Sequence, residues 1–159
     1  MPFAVLASVF DPAAIAPETA ALNDDIVARQ ALMPDVWAFP AAQVRELRKS
    51  GRGIIPVAPE SKRATTIEIP GPRGAIPARM IAPADGSSRG AFLHLHYGGW
   101  TFGGADLQDD RLEAIADATG LVAVSIEYKL APEWPYPAAH DDCEHAALWL
   151  LRDAPARHG

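Results

Sequence analysis

The chain has 159 residues, 49% of them hydrophobic and 21% charged, a composition that suits a globular domain with a real core and excludes a disordered chain. Fourteen basic residues against twenty acidic ones give a formal net charge of −6 with no Lys- or Arg-rich run, so no nucleic-acid partner is expected. The single cysteine, Cys143, rules out an intrachain disulfide, and no apolar run approaches the roughly 18 residues that span a bilayer, so a cytoplasmic protein with no membrane span is expected.

The start, MPFAVLASVFDPAAIAP, lacks a basic region before its short apolar stretch and breaks at Asp11-Pro12, which argues against a signal peptide. Residues 19–32 and 41–49 have helical composition, with Val44, Leu47 and Arg48 at helix spacing and Gly51 placed as a stop. Residues 1–60 thus read as a helical cap segment and linker, and 61–159 as a separate α/β core.

In that core, residues 64–69, the turn PGPRG and residues 75–81 predict an antiparallel hairpin, with Pro77 weakening the second strand or placing it near an edge. The loop PADGSSRG leads into a strand over 91–96. Residues 106–119 predict a helix with Leu112, Ile115, Ala116 and Thr119 on one face and Gly120 at its end. LVAVSIEY, residues 121–128, is almost continuously apolar, as expected of a parallel strand covered on both faces. Strand, helix and buried strand make a βαβ unit. A second helix follows over 138–151, with Pro137 near its start. The paired acids Asp24-Asp25, Asp109-Asp110 and Asp141-Asp142 read as helix-start and surface charge.

Between the strand at 91–96 and the next helix stands HLHYGGWTFGG, residues 94–104. The carboxyl end of a strand in an open α/β sheet is where ligands bind. A phosphate loop needs Lys and Ser or Thr after its last glycine, where this chain has Gly104 and Ala105, and G-x-G-x-x-G is absent. A metal site could draw on His94, His96 and the HDDCEH cluster at 140–145, but a third clearly spaced ligand is lacking, and packed histidines are the simpler reading. No metal and no cofactor are expected. The third reading fits best: glycines let backbone N–H groups turn toward a cavity, where they hold the negative oxygen that forms when an ester carbonyl is attacked.

HYGGW resembles the His-Gly-Gly-Gly-aromatic oxyanion loop of the hormone-sensitive lipase-like family of α/β-hydrolases. SIEYKLAPEWPYPAAHDDC, residues 125–143, resembles the same family's stretch Asp-Tyr-Arg-Leu-Ala-Pro-Glu followed by His-Pro-Phe-Pro-Ala-Ala and an acidic helix start. The resemblance implies a carboxylesterase or lipase that works through Ser, Asp and His, on an α/β fold with an antiparallel start, a βαβ parallel part and a helical N-terminal cap. It assigns the oxyanion donors to Gly98 and Gly99 and the support of the loop to His96, Tyr97 and Trp100. Tyr97 replaces the first glycine of the motif, and Glu127 and Lys129 replace its usual Asp and Arg.

The six serines are Ser8, Ser50, Ser61, Ser87, Ser88 and Ser125, and only GSSRG around Ser88 formally fits Gly-x-Ser-x-Gly. It precedes the oxyanion loop and opens no helix, so it reads as a chance match. In the family the nucleophile strand follows the helix that corresponds to residues 138–151, and the triad acid and base come later. His140, His145 and His158 therefore receive no catalytic role, and no catalytic residue is assigned. The expectation is the N-terminal, oxyanion-hole half of an ester hydrolase whose partner is a small carboxylic ester; alone, it turns over little substrate and self-associates through an exposed strand edge. The alternative is a non-catalytic small-molecule-binding protein on the same fold.

Overall fold

The structure is a computed structural model that describes residues 11–54 and 56–152. The reading of residues 1–10 as no leader, Ser8 and His158 lie outside the described residues. The chain divides into two compact units, Met1–Ala38 and Phe39–Gly159. The first contains helix α1, Pro17–Leu32, between 3-10 turns at Pro12–Ala14 and Val36–Ala38. Pro17 occupies the first turn of α1, where a missing N–H leaves no helix bond unmade. Asp25 and Arg29 pair at 2.8 Å one turn apart on it.

The second unit holds α2 (Ala41–Lys49), β1 (Thr65–Ile69), β2 (Ile76–Ile81), β3 (Ala91–Leu95), α3 (Asp109–Thr119), β4 (Val122–Ile126) and α4 (Ala138–Arg152). Helix α2, placed with the cap by composition, falls in the second of these compact units. The reason is packing: Val44 is buried, and Arg45 reaches backbone oxygens 56 and 86 residues away.

The sheet order is β1-β2-β4-β3. β1 and β2 form the expected antiparallel hairpin, β2 pairs antiparallel with β4, and β3 pairs parallel with β4 across the α3 crossover. The fold class is the α/β arrangement expected, an antiparallel start followed by a βαβ unit. Gly120 ends α3 in the left-handed conformation (φ 72°), as a helix-stop glycine does.

Pro77 is the exception to the sequence reading, because β2 is an inner strand and not an edge. Proline is accepted there because it sits at the strand's beginning, just before the β2–β4 ladder starts at Ala78 and Ile126. Its carbonyl still accepts from the Glu127 N–H at 2.8 Å, so only the donor that proline lacks is forgone.

β4 is covered on both faces, which explains its continuous apolar run. On one face Val124 and Ile126 pack with Ile69, Ile76 and α4 through Cys143, Ala146 and Trp149. On the other, Ala123 packs with Ile81 and with Leu112 and Ala116 of α3. Each fully buried aliphatic side chain contributes about 1.5–3 kcal/mol. Burial pushes the Cys143 thiol up to about 11, so it is a neutral apolar filler in this core.

Two of the acids read as surface charge are instead fully buried. Asp109, at the start of α3, takes a forked ion pair from Arg79 of β2 (2.6–2.9 Å) and accepts the Ser61 N–H at 2.7 Å. Hydrogen bonding to Asp109 raises the Arg79 guanidinium further above its ordinary value. Asp142 accepts the Lys129 N–H at 3.0 Å and lies 3.6 Å from the Lys129 ammonium. Both carboxylates serve as tertiary anchors, which explains how charged groups survive in the interior.

Candidate functional site

β3 ends at Leu95 and delivers the glycine loop at its carboxyl end. Gly98 has φ 126° and Gly99 φ 60°, a region that side chains enter at a cost. At Gly98 space is decisive as well, since a Cβ there would stand 1.9 Å from the Phe102 carbonyl oxygen. The Gly98 carbonyl accepts from the N–H groups of Thr101 (3.2 Å) and Phe102 (2.8 Å), closing one tight turn over residues 98–102.

Hydrogen bonding in this loop is one-sided. Every carbonyl from residue 96 to 101 has a donor: Tyr128 Oη on His96 (2.7 Å), His96 Nδ1 on Tyr97 (2.9 Å), the two amides on Gly98, and Thr101 Oγ1 on Gly99 (3.3 Å). Ala131 N–H donates to Trp100 (2.9 Å) and Arg45 Nε to Thr101 (2.7 Å). The N–H groups of Gly98, Gly99 and Trp100 donate to no group among the described residues. The turn therefore presents unengaged donors while its acceptors are occupied. Unpaired backbone amides are strong and otherwise obligatory donors, which makes this an anion-accepting arrangement.

The two histidines do different things. His94 bonds Ser125 Oγ (2.9 Å) through Nδ1 and Gln108 Oε1 (3.0 Å) through Nε2, linking β3 to β4 and to the entry of α3. A neutral ring protonated on Nε2 satisfies both bonds. His96 is buried and stacks on Tyr128 with ring centroids 4.0 Å apart and planes 9° from parallel. Because a carbonyl only accepts, its Nδ1 carries the proton given to Tyr97 O, and its buried Nε2 lone pair has no partner. Burial lowers the pKa of both rings, His94 and His96, and so favours the uncharged form. Burial likewise pushes the Tyr128 phenol up to about 12, keeping it a protonated donor to His96 O. Among the described residues no three His, Cys, Asp or Glu side chains converge as a metal site would require.

Around the turn, Trp100 is the one non-glycine among the described residues with a positive φ (62°), a conformation that costs a side-chain-bearing residue about 1–2 kcal/mol. Its ring meets Tyr128 (5.2 Å) and His140 (4.6 Å), while Tyr136 packs on the edge of His140 at 5.0 Å. Glu127 Oε2 accepts the Ala105 N–H at 2.7 Å and ties the end of β4 to the loop's far end. Tyr97 is exposed, so the side chain that replaces the motif's first glycine projects outward and the turn closes without it. Lys129, the other replacement, lies over the Trp134 ring at 5.5 Å.

A cavity of about 470 Å³ opens beneath α2, between Arg45 and Lys49 on one side and Gly103, Asp106, Glu127 and Glu133 on the other. Gly98 and Gly99 do not line it.

Residues 92–159 match the model of a family described as alpha/beta hydrolase fold. The chain is 34% identical over 140 residues to the carboxylic ester hydrolase LipN of Mycobacterium tuberculosis, covering 87% of this chain and 33% of that protein. It is 36% identical over 107 residues to the esterase LipI of the same organism, covering 65% of this chain and 32% of LipI. The solved structure of a hyperthermophilic esterase from Pyrobaculum calidifontis superposes with a TM-score of 0.72 at 32% identity, covering 87% of this chain and 44% of that one. The chain thus carries part of the α/β-hydrolase fold and is similar to carboxylic ester hydrolases built on it. It spans about a third of the length of the curated relatives named here.

His96, Tyr97, Gly98, Gly99 and Trp100 are consecutive in the loop that follows β3. Ser88 lies in the turn before β3, at the opposite end of a five-residue strand that spans about 16 Å. Of the two histidines nearest the loop by sequence, His140 packs on Trp100, and His145 bonds the Asp141 carbonyl within α4. The sequence reading missed Tyr128 as the partner of His96 and Arg45 as a ligand of the loop. Tyr128 had a signal, since it stands inside the second motif; Arg45 had none. Among the described residues no helix is long and apolar enough to cross a membrane.

Proposed function

We propose that this chain supplies the oxyanion-binding part of a serine carboxylic ester hydrolase, with Gly98 and Gly99 as the donors. The observation that carries the reading is the one-sided hydrogen bonding of the turn: six consecutive carbonyls engaged, and the Gly98 and Gly99 amides unengaged. When a serine oxygen attacks an ester carbonyl, the carbonyl oxygen gains charge, and preorganised N–H donors stabilise that charge with no reorganisation at the moment of reaction. Carbonyls already bound to other donors do not need to turn away from the anion. His96 and Trp100 hold the turn, His96 through its bond to Tyr97 O and its stack on Tyr128. The nucleophile, acid and base are assigned to no residue of this chain; the serine oxygen comes from outside residues 1–159. The names of LipN and LipI and the likeness to a thermophilic esterase support a small carboxylic ester as substrate.

The test is the full translation product of the gene, incubated with p-nitrophenyl acetate, butyrate and octanoate and followed by p-nitrophenolate release. Turnover that Gly98→Ala lowers about 10²–10³-fold is the expected result. No turnover at any acyl length overturns the ester-hydrolase reading; calorimetric binding of an ester without turnover would point to a binding protein on the same fold. The outer edge of β3 has no second strand beside it among the described residues, which supports self-association of the isolated 159-residue chain. Sedimentation velocity should show dimers or larger species, and a monodisperse monomer would count against it.

A further inference from the structure

The guanidinium of Arg45, on α2, donates to four acceptors from two separate loops. Nε bonds the Thr101 carbonyl (2.7 Å), one terminal nitrogen bonds the Ala131 carbonyl (2.5 Å), and both terminal nitrogens grip the Glu133 carboxylate (3.0 and 2.8 Å). The Ala131 N–H in turn donates to the carbonyl of Trp100, the residue before Thr101, at 2.9 Å. These bonds close a ring through Arg45, Thr101, Trp100 and Ala131. The Arg45 side chain is 21% exposed, which leaves its carbonyl contacts mostly shielded from water.

We propose that Arg45 is a positioning residue for ester hydrolysis: seated by Glu133, it clamps the carbonyls of Thr101 and Ala131 and thereby holds the residue 98–101 turn with its amides open. The inference rests on reading Gly98 and Gly99 as oxyanion donors. Its physical core is the left-handed Trp100. A change of φ at Trp100 rotates the Gly99–Trp100 peptide relative to everything that follows it. With the Trp100 and Thr101 carbonyls held by Ala131 and Arg45, the following part is fixed, so the preceding amides are fixed too. Without Arg45, Trp100 is free to leave a conformation that side chains disfavour, and the glycine amides swing with it. Arginine is required because the acceptors are spread around a planar fork; a lysine ammonium offers three donors from one point and cannot span them.

The experiment uses the full translation product of the gene with Arg45→Met and Arg45→Lys, each checked for folding by thermal melting. Two independent readouts apply. In ester turnover, Arg45→Met should lower kcat about 10- to 100-fold with KM little changed, and Arg45→Lys should not restore it. In amide hydrogen exchange, Thr101 and Phe102, both bonded to the Gly98 carbonyl, should lose protection in Arg45→Met while β4 keeps its own. Unchanged exchange at Thr101 and Phe102 overturns the clamp, as does a kcat loss that follows only the folded fraction or full rescue by lysine. If the unaltered protein has no ester turnover, the functional reading falls, and the exchange measurement still decides whether Arg45 holds the turn.

Discussion

Two glycine-containing turns flank β3, and they use their backbone groups in opposite ways. In the turn before the strand, the N–H groups of Ala84, Gly86, Ser87 and Arg89 all donate, to Asp117 Oδ1, Pro83 O, Asp85 Oδ1 and Gly120 O at 2.8–3.0 Å. In the loop after the strand the carbonyls are engaged and the glycine amides are not. The glycines differ in the same sense: a Cβ on Gly86 would meet nothing within 4 Å, whereas one on Gly98 would collide with backbone. Each turn carries a formal catalytic signature, Gly-x-Ser-x-Gly in one and the glycine motif in the other. Composition does not separate them; hydrogen-bond direction does. In the first turn four N–H groups are spent on the fold itself, whereas none of the three consecutive amides at residues 98–100 is.

The largest effect expected from breaking this contrast comes from Gly98→Ala. Relieving the 1.9 Å clash must displace the turn, and kcat for p-nitrophenyl esters should fall about 10²–10³-fold, as on loss of an oxyanion donor. Gly86→Ala, with open space around it and φ 73°, should cost only about 1–2 kcal/mol in urea unfolding and leave kcat unaltered. Equal effects at the two glycines would erase the distinction.

A second effect follows from pH. Burial lowers the pKa of His94 and His96 below the ordinary 6.5, so the folded chain resists protons that the unfolded chain accepts. The sign is that stability is fully present above about 6.5 and is lost as pH falls below it, because the unfolded state then binds more protons. Urea unfolding between pH 7.5 and 5 should show this decline, shallower in His94→Asn; a flat profile would mean that the loop does not depend on uncharged imidazoles. The paired carboxylates are not the source of it. Hydrogen bonds to Arg63 and Arg45 hold Asp117 and Glu133 below their ordinary values of 3.8 and 4.5, so their contribution is lost only at lower pH.

Smaller still is Asp117→Ala, which frees the Ala84 N–H and one side of Arg63 at an exposed site. A slight drop in melting temperature with unchanged turnover is expected. Smallest is Ser88→Ala: at the wrong end of β3 for this loop, it should change neither turnover nor melting. Loss of turnover in that variant would overturn the view of GSSRG as a structural turn.

How much of this was legible in the chain depends on how local the cause was. The helices over 41–49 and 138–152 and the hairpin follow from periodicity and turn residues, since these signals act over a few positions. The loop was legible as a motif because Gly98 and Gly99 are adjacent and followed by an aromatic residue. Pro77 misled, because whether a strand lies at an edge is decided by β4, some 45 residues later. Asp109 and Asp142 misled in the same way: an acid at a helix start is ordinarily solvated, and only Arg79 and the Lys129 amide, supplied by other elements, make it a buried anchor.

The amino-acid sequence by itself determined the α/β succession, the continuous burial of β4 and the identity of the glycine loop, because side-chain period and glycine's freedom at positive φ are properties of neighbouring residues. The tertiary structure alone decided which backbone groups of that loop stay open. Tyr128 and Ala131, and Arg45 from α2, occupy its carbonyls from 31 to 56 residues away, and a hydrogen bond over such a distance exists only once the chain has folded.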